Sequence, residues 1–360
     1  MTEPEASQHS AFELARLLTD VFLVEEAQVQ EAAVRFRGVL LASPETAVRL
    51  LTGRLAPLGY HPLLRSREEI VLLRAVVPPA RAWLKEPWPN LVLFVATLLT
   101  TLFVGALHQG ADPLSDPGTL VAGLPFAATL LAILGVHELG HYFTAKAYGI
   151  RVTLPYFIPA PVGLGTFGAF IRMKSPVTDR RALLDVGIAG PLAGLVLAIP
   201  AVLVGLRLST VVPAQSAGVG LGSSLLFLAL QAIAVGPVPD GLDILLHPVA
   251  FAGWIGLFVT ALNLLPIGQL DGGHIAYALL GRRHREVAIG TAGVLVALGV
   301  FFWQGWLIWA VLPMAMGFQH PPPLDDVTPL DPRRRLLALG AFALLLLLIT
   351  PAPFFFPEGM

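Results

Sequence analysis

Two histidines and a glutamate lie close together in an apolar segment, Gly135-Val136-His137-Glu138-Leu139-Gly140-His141. In an α-helix, residues four apart lie nearly above one another, so His137 and His141 can direct their imidazoles at one metal ion. Glu138 lies about 100° around such a helix from His137 and can reach a metal-bound water. Two neutral imidazoles beside a carboxylate are typical of zinc hydrolases, in which the carboxylate takes a proton from the attacking water. The spacing therefore predicts a hydrolytic zinc site.

A catalytic zinc normally has three protein ligands and an open position for water. Asp271 is the best third candidate, in the segment 263–274, which contains the letters NLLPIGQLDGGH. An unpaired carboxylate within an apolar segment is unfavourable, which favours a ligand over a plain Asp-Gly-Gly turn. His274 and Asp185 remain alternatives for the third ligand.

The helix that carries these residues is predicted to lie in a membrane. Hydrophobic residues make up 55% of the 360-residue chain and charged residues 13%, whereas soluble domains carry roughly 25% charged residues. About 20 apolar residues cross a bilayer core as a helix. Seven segments reach or approach this length: 90–108, 119–147, 186–207, 249–270, 286–303, 305–318 and 336–356. The sixth is short and contains Pro313, so we expect six or seven transmembrane helices.

The distribution of Lys and Arg predicts the orientation, because short cytoplasmic loops are enriched in both. The N-terminus lacks the basic and apolar regions of a signal peptide, so we expect it to remain cytoplasmic. Among the basic residues that flank the predicted spans, only Arg207 then lies outside the cytoplasm, and this distribution favours seven spans. The basic residues that would be cytoplasmic are Arg81, Lys85, Lys146, Arg151, Arg172, Lys174, Arg180, Arg181, Arg282, Arg283, Arg285, Arg333, Arg334 and Arg335. His141 and Asp271 both fall near cytoplasmic ends of spans, at similar depth.

The first 86 residues differ in composition from the remainder and hold 21 of the 47 charged residues. Residues 33–39 and 70–74 are predicted strands, and Ser43-Pro44 predicts the start of a helix that continues to about Leu55. We expect a small cytoplasmic α+β domain in 1–86, a membrane-embedded core in 87–320, and a cytoplasmic loop with a C-terminal transmembrane helix in 321–360. The first domain suggests binding or regulation, since it shows no phosphate loop and no pair of histidines.

Other classes of function are excluded by composition. The chain has no cysteine, which excludes disulfides, iron–sulfur clusters and thiolate zinc sites. Its formal net charge is −1 and it has no long basic run, so nucleic acid is not expected as a partner.

The segment 152–172 between the second and third spans contains three prolines and several glycines among β-branched and aromatic residues. This composition disfavours a helix and suits short strands. Irregular backbone at membrane depth is tolerated when protein covers it or when it lines a wet cavity. We therefore predict a re-entrant β-hairpin beside the metal. Its exposed edge could hold an unwound substrate segment by β-augmentation, whereas the alternative is a plain connecting loop.

The paired motifs His137-Glu138-Leu139-Gly140-His141 and Asn263-x-x-Pro266-x-x-x-Leu270-Asp271-Gly272-Gly273 resemble the signatures of the site-2 protease family of intramembrane zinc metalloproteases. The resemblance covers residues 90–285. It implies one zinc ion held by His137, His141 and Asp271, with Glu138 as general acid and base. It also implies that Asn263 assists near the scissile carbonyl.

Two features distinguish the chain within that family. Many bacterial members carry a PDZ domain between core spans, but the loop 208–248 is too short for one. The soluble N-terminal extension and the additional C-terminal spans resemble a branch found in bacteria and plastids.

The function that we expect is hydrolysis of a peptide bond within or near a transmembrane segment of a membrane protein, as in regulated intramembrane proteolysis. The partners are then a transmembrane protein substrate and the lipid bilayer, and the location is a bacterial plasma membrane. A metal-ion transporter is one alternative, because ionisable residues inside spans also mark ion pathways. Against it, no internal repeat is visible. The other alternative is a catalytically silent membrane binding protein.

Overall fold

The computed structural model describes residues 10–30, 33–74, 87–214 and 220–355. These residues divide into two compact units. The first, which we call the sheet unit, comprises the described part of Met1–Ala80 together with Pro176–Leu183 and Pro321–Asp331. The second, which we call the helical unit, comprises the other described residues.

The sheet unit is built on a four-stranded antiparallel sheet in the order β1-β2-β4-β3. Its elements are α1 (Ala11–Arg16), β1 (Phe22–Gln30), β2 (Ala33–Leu40), α2 (Pro44–Leu55), β3 (Tyr60–Ser66) and β4 (Glu69–Arg74). The two strands and the helix predicted from sequence in this region are confirmed. The Ser43 hydroxyl accepts a hydrogen bond from the Thr46 N–H, and Pro44 occupies the first helical position. The fully buried core includes Leu14, Phe22, Phe36, Leu51 and Leu72.

Two segments from later in the chain complete the sheet unit. The Leu64 N–H of β3 donates to the Leu324 carbonyl (2.8 Å), and the Asp326 N–H donates to the Leu64 carbonyl (3.1 Å). The Leu324 N–H in turn donates to the Val177 carbonyl (2.9 Å). Leu324 also belongs to the buried apolar core. The unit therefore includes Pro176–Leu183, which leads into one later helix, and Pro321–Asp331, which precedes another. The domain boundary that the sequence predicts at residue 86 does not include these stretches.

The helical unit contains the apolar segments. Its helices are α3 (Trp88–His108), α4 (Leu124–Ala147), α5 (Arg180–Arg207, whose first residues belong to the sheet unit), α6 (Leu225–Ala234), α7 (Pro248–Asn263), α8 (Asp271–Leu280), α9 (His284–Phe301), α10 (Gly305–Met316) and α11 (Pro332–Leu348). Its strands are β5 (Tyr156–Pro159), β6 (Thr166–Phe170), β7 (Thr210–Pro213), β8 (Gly220–Leu221), β9 (Leu242–Leu245) and β10 (Phe354–Phe355).

Within the part of the chain that the structure describes, four stretches are long and apolar enough to cross a membrane: Trp88–His108, Pro117–Ala147, Arg180–Arg207 and Asp271–Phe301. Two shorter apolar helices, Leu225–Ala234 and Pro248–Asn263, accompany them. The chain is an integral membrane protein with a strand-rich region near its N-terminus. The span expected over 249–270 ends as a helix at Asn263, because the following Pro266 and Gly268 form a turn before α8 begins.

The segment 152–172 forms a β-hairpin in which β5 and β6 pair antiparallel. This hairpin packs against α3 and α4. The Asn90 amide of α3 donates to the Leu154 and Pro155 carbonyls, at 3.0 and 2.9 Å. At the turn, the Thr100 hydroxyl donates to the Gly165 carbonyl (2.7 Å). The residues that precede β5 and the turn that follows it are therefore both attached to α3.

Candidate metal centre

The helix α4 carries the first three site residues. His137, Glu138 and His141 are at most 6% exposed. The Nε2 atoms of His137 and His141 lie 3.2 Å apart, as expected for imidazoles four residues apart that face one point.

Asp271 reaches this point from the first residue of α8. Its Oδ2 lies 3.3 Å from His137 Nε2, and its Oδ1 lies 3.2 Å from His141 Nε2. The following two glycines permit this approach: a Cβ on Gly272 would lie 2.0 Å from the Leu264 carbonyl oxygen, and one on Gly273 would lie 2.4 Å from the Gly268 carbonyl oxygen. The Asp-Gly-Gly sequence therefore packs the start of α8 against the preceding turn.

These three residues fit a zinc ion. Ligand atoms about 2.0–2.1 Å from a tetrahedral zinc lie about 3.3 Å from one another. The two Nε2 atoms lie 3.2 Å apart, and each lies 3.2–3.3 Å from one oxygen of the Asp271 carboxylate, a different oxygen for each histidine. Among the described residues, His137, His141 and Asp271 are the one set of three or more His, Cys, Asp and Glu side chains whose ligand atoms all lie within 4.8 Å of one another. Two imidazoles and one carboxylate are also the donor set of catalytic zinc sites.

The helix α5 supports the ligands from the opposite side. The Nδ1–H of His141 donates to the Val186 carbonyl (2.7 Å), which leaves Nε2 free to face the other ligands. A Cβ on Gly190 would lie 2.1 Å from His141 Nε2, and one on Gly194 would lie 3.3 Å from the His137 Cβ. Gly190 and Gly194 of α5 thus provide the space that the imidazoles occupy.

Glu138 lies next to the three ligands and outside their set. Its carboxylate interacts electrostatically with His141 and Asp271 and with the backbone N–H of Ile171. Ile171 follows the last residue of β6, so the carboxylate faces the end of the hairpin. Asn263, the last residue of α7, places its side-chain amide 3.3 Å from His137 Nε2.

The two alternative third ligands have other partners. His274 Nδ1 lies 2.5 Å from His320 Nε2. The Asp185 carboxylate binds Arg334 of α11, although Arg180 and Arg181 lie nearer to it in the sequence. Sequence reasoning missed Arg334 and the Val186 carbonyl, because neither carries a motif and both contacts join residues distant in sequence.

Comparison with known proteins agrees with this geometry. The family model for peptidase family M50 matches residues 125–303, which include both motifs. The chain is 33% identical over 356 residues to the "Probable zinc metalloprotease EGY2, chloroplastic" of Arabidopsis thaliana, covering 94% of this chain and 63% of the relative. It is 36% identical over 239 residues to the "Probable zinc metalloprotease EGY1, chloroplastic" of the same plant, covering 64% of this chain and 43% of the relative.

A third relative, the EGY2 protein of Oryza sativa subsp. indica, is 29% identical over 359 residues, covering 94% of this chain and 64% of the relative. The chain therefore spans less than two thirds of the length of these relatives. The match to EGY2 extends beyond the family domain on both sides, so the similarity includes more than the two motifs.

Proposed function

On the premise that the chain carries a peptidase family M50 (site-2 protease) domain and is homologous to the EGY zinc metalloproteases, we propose that it is an intramembrane zinc metalloendopeptidase. Its substrate is the transmembrane segment of another membrane protein, cleaved in regulated proteolysis. The observation that carries this proposal is the grouping of His137, His141 and the Asp271 carboxylate, in which each pair of side chains approaches to 3.2–3.3 Å, with Glu138 beside them in an apolar helix. The relatives are named as metalloproteases, and none of the relatives cited here is named as a transporter.

The ligand set holds the metal through three side chains. His137, His141 and Asp271 would hold the zinc ion, which when bound would supply Lewis-acid activation of the scissile carbonyl and of a water. The Val186 carbonyl fixes the tautomer of His141 so that its Nε2 faces the site. Asn263 lies at the edge of the ligand triangle, where its amide N–H can donate to the scissile carbonyl oxygen.

Glu138 is the general base and then the general acid. Its carboxylate accepts a proton from the attacking water and returns that proton to the leaving amine nitrogen. The backbone N–H of Ile171, just after β6, is among the groups that interact electrostatically with this carboxylate. Such proton transfer typically contributes about 10²–10⁴-fold to a rate, which sets the expected loss when this carboxylate is replaced.

The hairpin of β5 and β6 presents the substrate. A peptide bond inside a helix is shielded by its own hydrogen bonds, so the cleaved segment has to unwind before attack. We place the hairpin at membrane depth as a re-entrant element, where it pairs with the unwound segment by β-augmentation. The attachment of its strand and turn to α3 by Asn90 and Thr100 supports this role, because a rigid edge costs less entropy on pairing.

The membrane topology that we propose has seven spans. The sheet unit contains the N-terminal region, Pro176–Leu183 and Pro321–Asp331, and a soluble unit lies on one side of a bilayer. The chain must then cross an even number of times between these stretches. Two crossings by α3 and α4, and then four by α5, α7, α9 and α10, meet this condition. The helix α11 makes the seventh crossing.

The orientation and the division of the chain follow from the same topology. Lys and Arg flank the spans on the side of the sheet unit, which we assign as cytoplasmic. We propose a bacterial plasma membrane as the location, although the named relatives are chloroplastic. The functional division is a cytoplasmic domain in 1–86, a protease core in 87–320, and a loop with a C-terminal helix in 321–360. The first domain regulates the core or selects its substrate.

The proposal is tested with Glu138→Gln in the full chain, purified in detergent. The probe is a fluorescent single-span peptide whose transmembrane segment contains Asn and Gly, which ease its unwinding. Cleavage should fall by at least about 10²-fold with zinc content unchanged, because the amide cannot accept the proton. Glu286→Gln, in the exposed first turn of α9, is the matched control and should cleave normally. Normal cleavage by Glu138→Gln would contradict the proposed mechanism.

A further inference from the structure

The C-terminal helix α11 contributes a side chain to a cluster close to the metal centre. Arg334 donates from Nε to both carboxylate oxygens of Asp185, at 3.0 and 3.1 Å, and from Nη2 to Oδ2 at 2.6 Å. The Tyr148 hydroxyl donates to the same carboxylate and accepts from Arg334 Nη2 (3.1 Å). Three side chains from the end of α4 and the first turns of α5 and α11 therefore meet in one hydrogen-bonded cluster.

This cluster is partly buried, and its hydrogen bonds define its geometry. The side chains of Arg334 and Asp185 are 30% and 22% exposed, while the neighbouring Arg333 is exposed. Burial, together with the hydrogen bond to Asp185, raises the pKa of Tyr148, so its phenol remains neutral and donates. A guanidinium that engages both carboxylate oxygens holds the carboxylate in one orientation, which a point charge does not do.

One member of the cluster, Asp185, is adjacent in sequence to a residue that contacts a candidate metal ligand. Asp185 precedes Val186, and the Val186 carbonyl accepts the Nδ1–H of His141. Within a helix, the position of that carbonyl is fixed by the turn that also carries the Asp185 side chain. A rotation or shift of this turn of α5 would change the direction in which His141 Nε2 points.

We propose that Arg334 is a positioning residue for the metal centre, which acts by holding Asp185 and thereby fixing the Val186 carbonyl that orients His141. This inference rests on the proposed function, since it takes His141 as a zinc ligand. Arg334 lies beyond residues 125–303, the part of the chain that the family model matches. The metal centre of this chain therefore depends on a helix outside that region.

The test measures metal binding by the full chain in detergent for Arg334→Gln, with Arg333→Gln as the matched control one residue away. Zinc affinity is measured by chelator competition. The absorption spectrum recorded after Zn²⁺ has been replaced by Co²⁺ reports the geometry of the ligands independently of cleavage. Loss of an outer partner of a metal-bound histidine typically costs about 10–100-fold in affinity. Arg334 acts through Asp185 and the Val186 carbonyl and is not itself that partner, so we expect a loss at the lower end of this range, about 10-fold, for Arg334→Gln. The Co²⁺ bands should also change in Arg334→Gln, and Arg333→Gln should show wild-type values.

Two further variants keep the test decisive where Arg334→Gln fails to fold. Arg334→Lys retains the charge without the two-pronged contact and should bind zinc with intermediate affinity. Asp185→Asn should lower zinc affinity as much as Arg334→Gln does. The double variant that combines both substitutions should bind zinc no more weakly than either single variant, because both substitutions break the same chain of contacts. Additive losses in the double variant, or wild-type affinity and spectra in both Arg334→Lys and Asp185→Asn, would overturn the inference.

The outcomes also separate this inference from the proposed function. If the wild-type chain does not bind zinc stoichiometrically, both the proposed function and the role of Arg334 are overturned. Stoichiometric zinc in the wild type with wild-type affinity and spectrum in Arg334→Gln would overturn the role of Arg334 alone.

Discussion

The metal centre and the sheet unit are organised on opposite principles. The metal centre depends on a few polar side chains, contributed by helices that are distant in sequence, within an apolar surrounding. The sheet unit depends on many apolar side chains packed behind a charged surface. The group of metal-ligating side chains found among the described residues, His137, His141 and Asp271, lies outside this unit. Chemistry is therefore concentrated at a few atoms of the helical unit, while the sheet unit contributes stability and a surface.

This difference predicts different responses to substitution. In the metal centre, a shift of about 1 Å is enough to lose function, because ligand geometry is strict. In the sheet unit, loss of stability follows the volume removed from the core, and the metal centre should be indifferent to it. Three substitutions test the comparison, in order of decreasing effect.

The largest effect is expected from Gly190→Ala in α5. The added methyl group would lie 2.1 Å from His141 Nε2, so the imidazole has to leave its position. Zinc affinity should fall by at least about 100-fold, the upper end of the range for disturbed metal ligands. The measurement is zinc content and chelator competition on detergent-purified protein.

Gly290→Ala in α9 is the control for that variant. Nothing lies within 4 Å of a Cβ at Gly290, so this substitution should leave zinc binding unchanged. Equal zinc affinity in both variants would show that α5 does not confine His141 as described.

A smaller effect, confined to the sheet unit, is expected from Phe36→Ala. Phe36 is fully buried in the core of the sheet unit, and Phe-to-Ala changes in cores cost about 3–5 kcal/mol. Hydrogen exchange of the full chain should show reduced protection in β2 and β4. Zinc content should stay at the wild-type value.

Phe12→Ala provides the comparison, because Phe12 is 73% exposed. It should change neither hydrogen exchange nor zinc content. Loss of zinc in Phe36→Ala would break the separation between the two units.

The smallest effect is expected from Arg54→Ala on the surface of the sheet unit. The Arg54 guanidinium holds the pKa of the exposed Asp20 carboxyl below its usual range through their hydrogen bond. Any stability from this pair is present at neutral pH and is lost as pH falls through that lowered pKa. Because solvent screens exposed pairs, the thermal midpoint at pH 7 should not change measurably. A clear drop would mean that surface pairs, and not the apolar core, stabilise this unit.

The sequence predicts the features that have a local period or a local motif. The spacing of His137 and His141 places both imidazoles on one helix face, and the Ser43-Pro44 pair marks the start of α2. The composition of 152–172 predicts strands, and the hairpin of β5 and β6 confirms them. In each case the physical cause acts over a few residues.

Contacts between distant residues are the part that the sequence does not predict. The Arg334 side chain binds Asp185 across 149 positions, and the Leu64 backbone pairs with Leu324. No periodicity marks such pairs, and nearer arginines offered Asp185 an equally plausible partner. The boundary of the sheet unit was unpredictable for the same reason, since Pro176–Leu183 and Pro321–Asp331 join it through backbone pairing.

The most direct test of the account is the zinc content of the purified wild-type chain and of Asp271→Ala, after removal of loosely bound metal. We predict one zinc per wild-type chain and markedly less in Asp271→Ala, because the substitution removes the carboxylate that lies 3.2–3.3 Å from both imidazoles. No zinc in the wild type would contradict the metal centre itself. Full zinc in Asp271→Ala would contradict Asp271 as the third ligand.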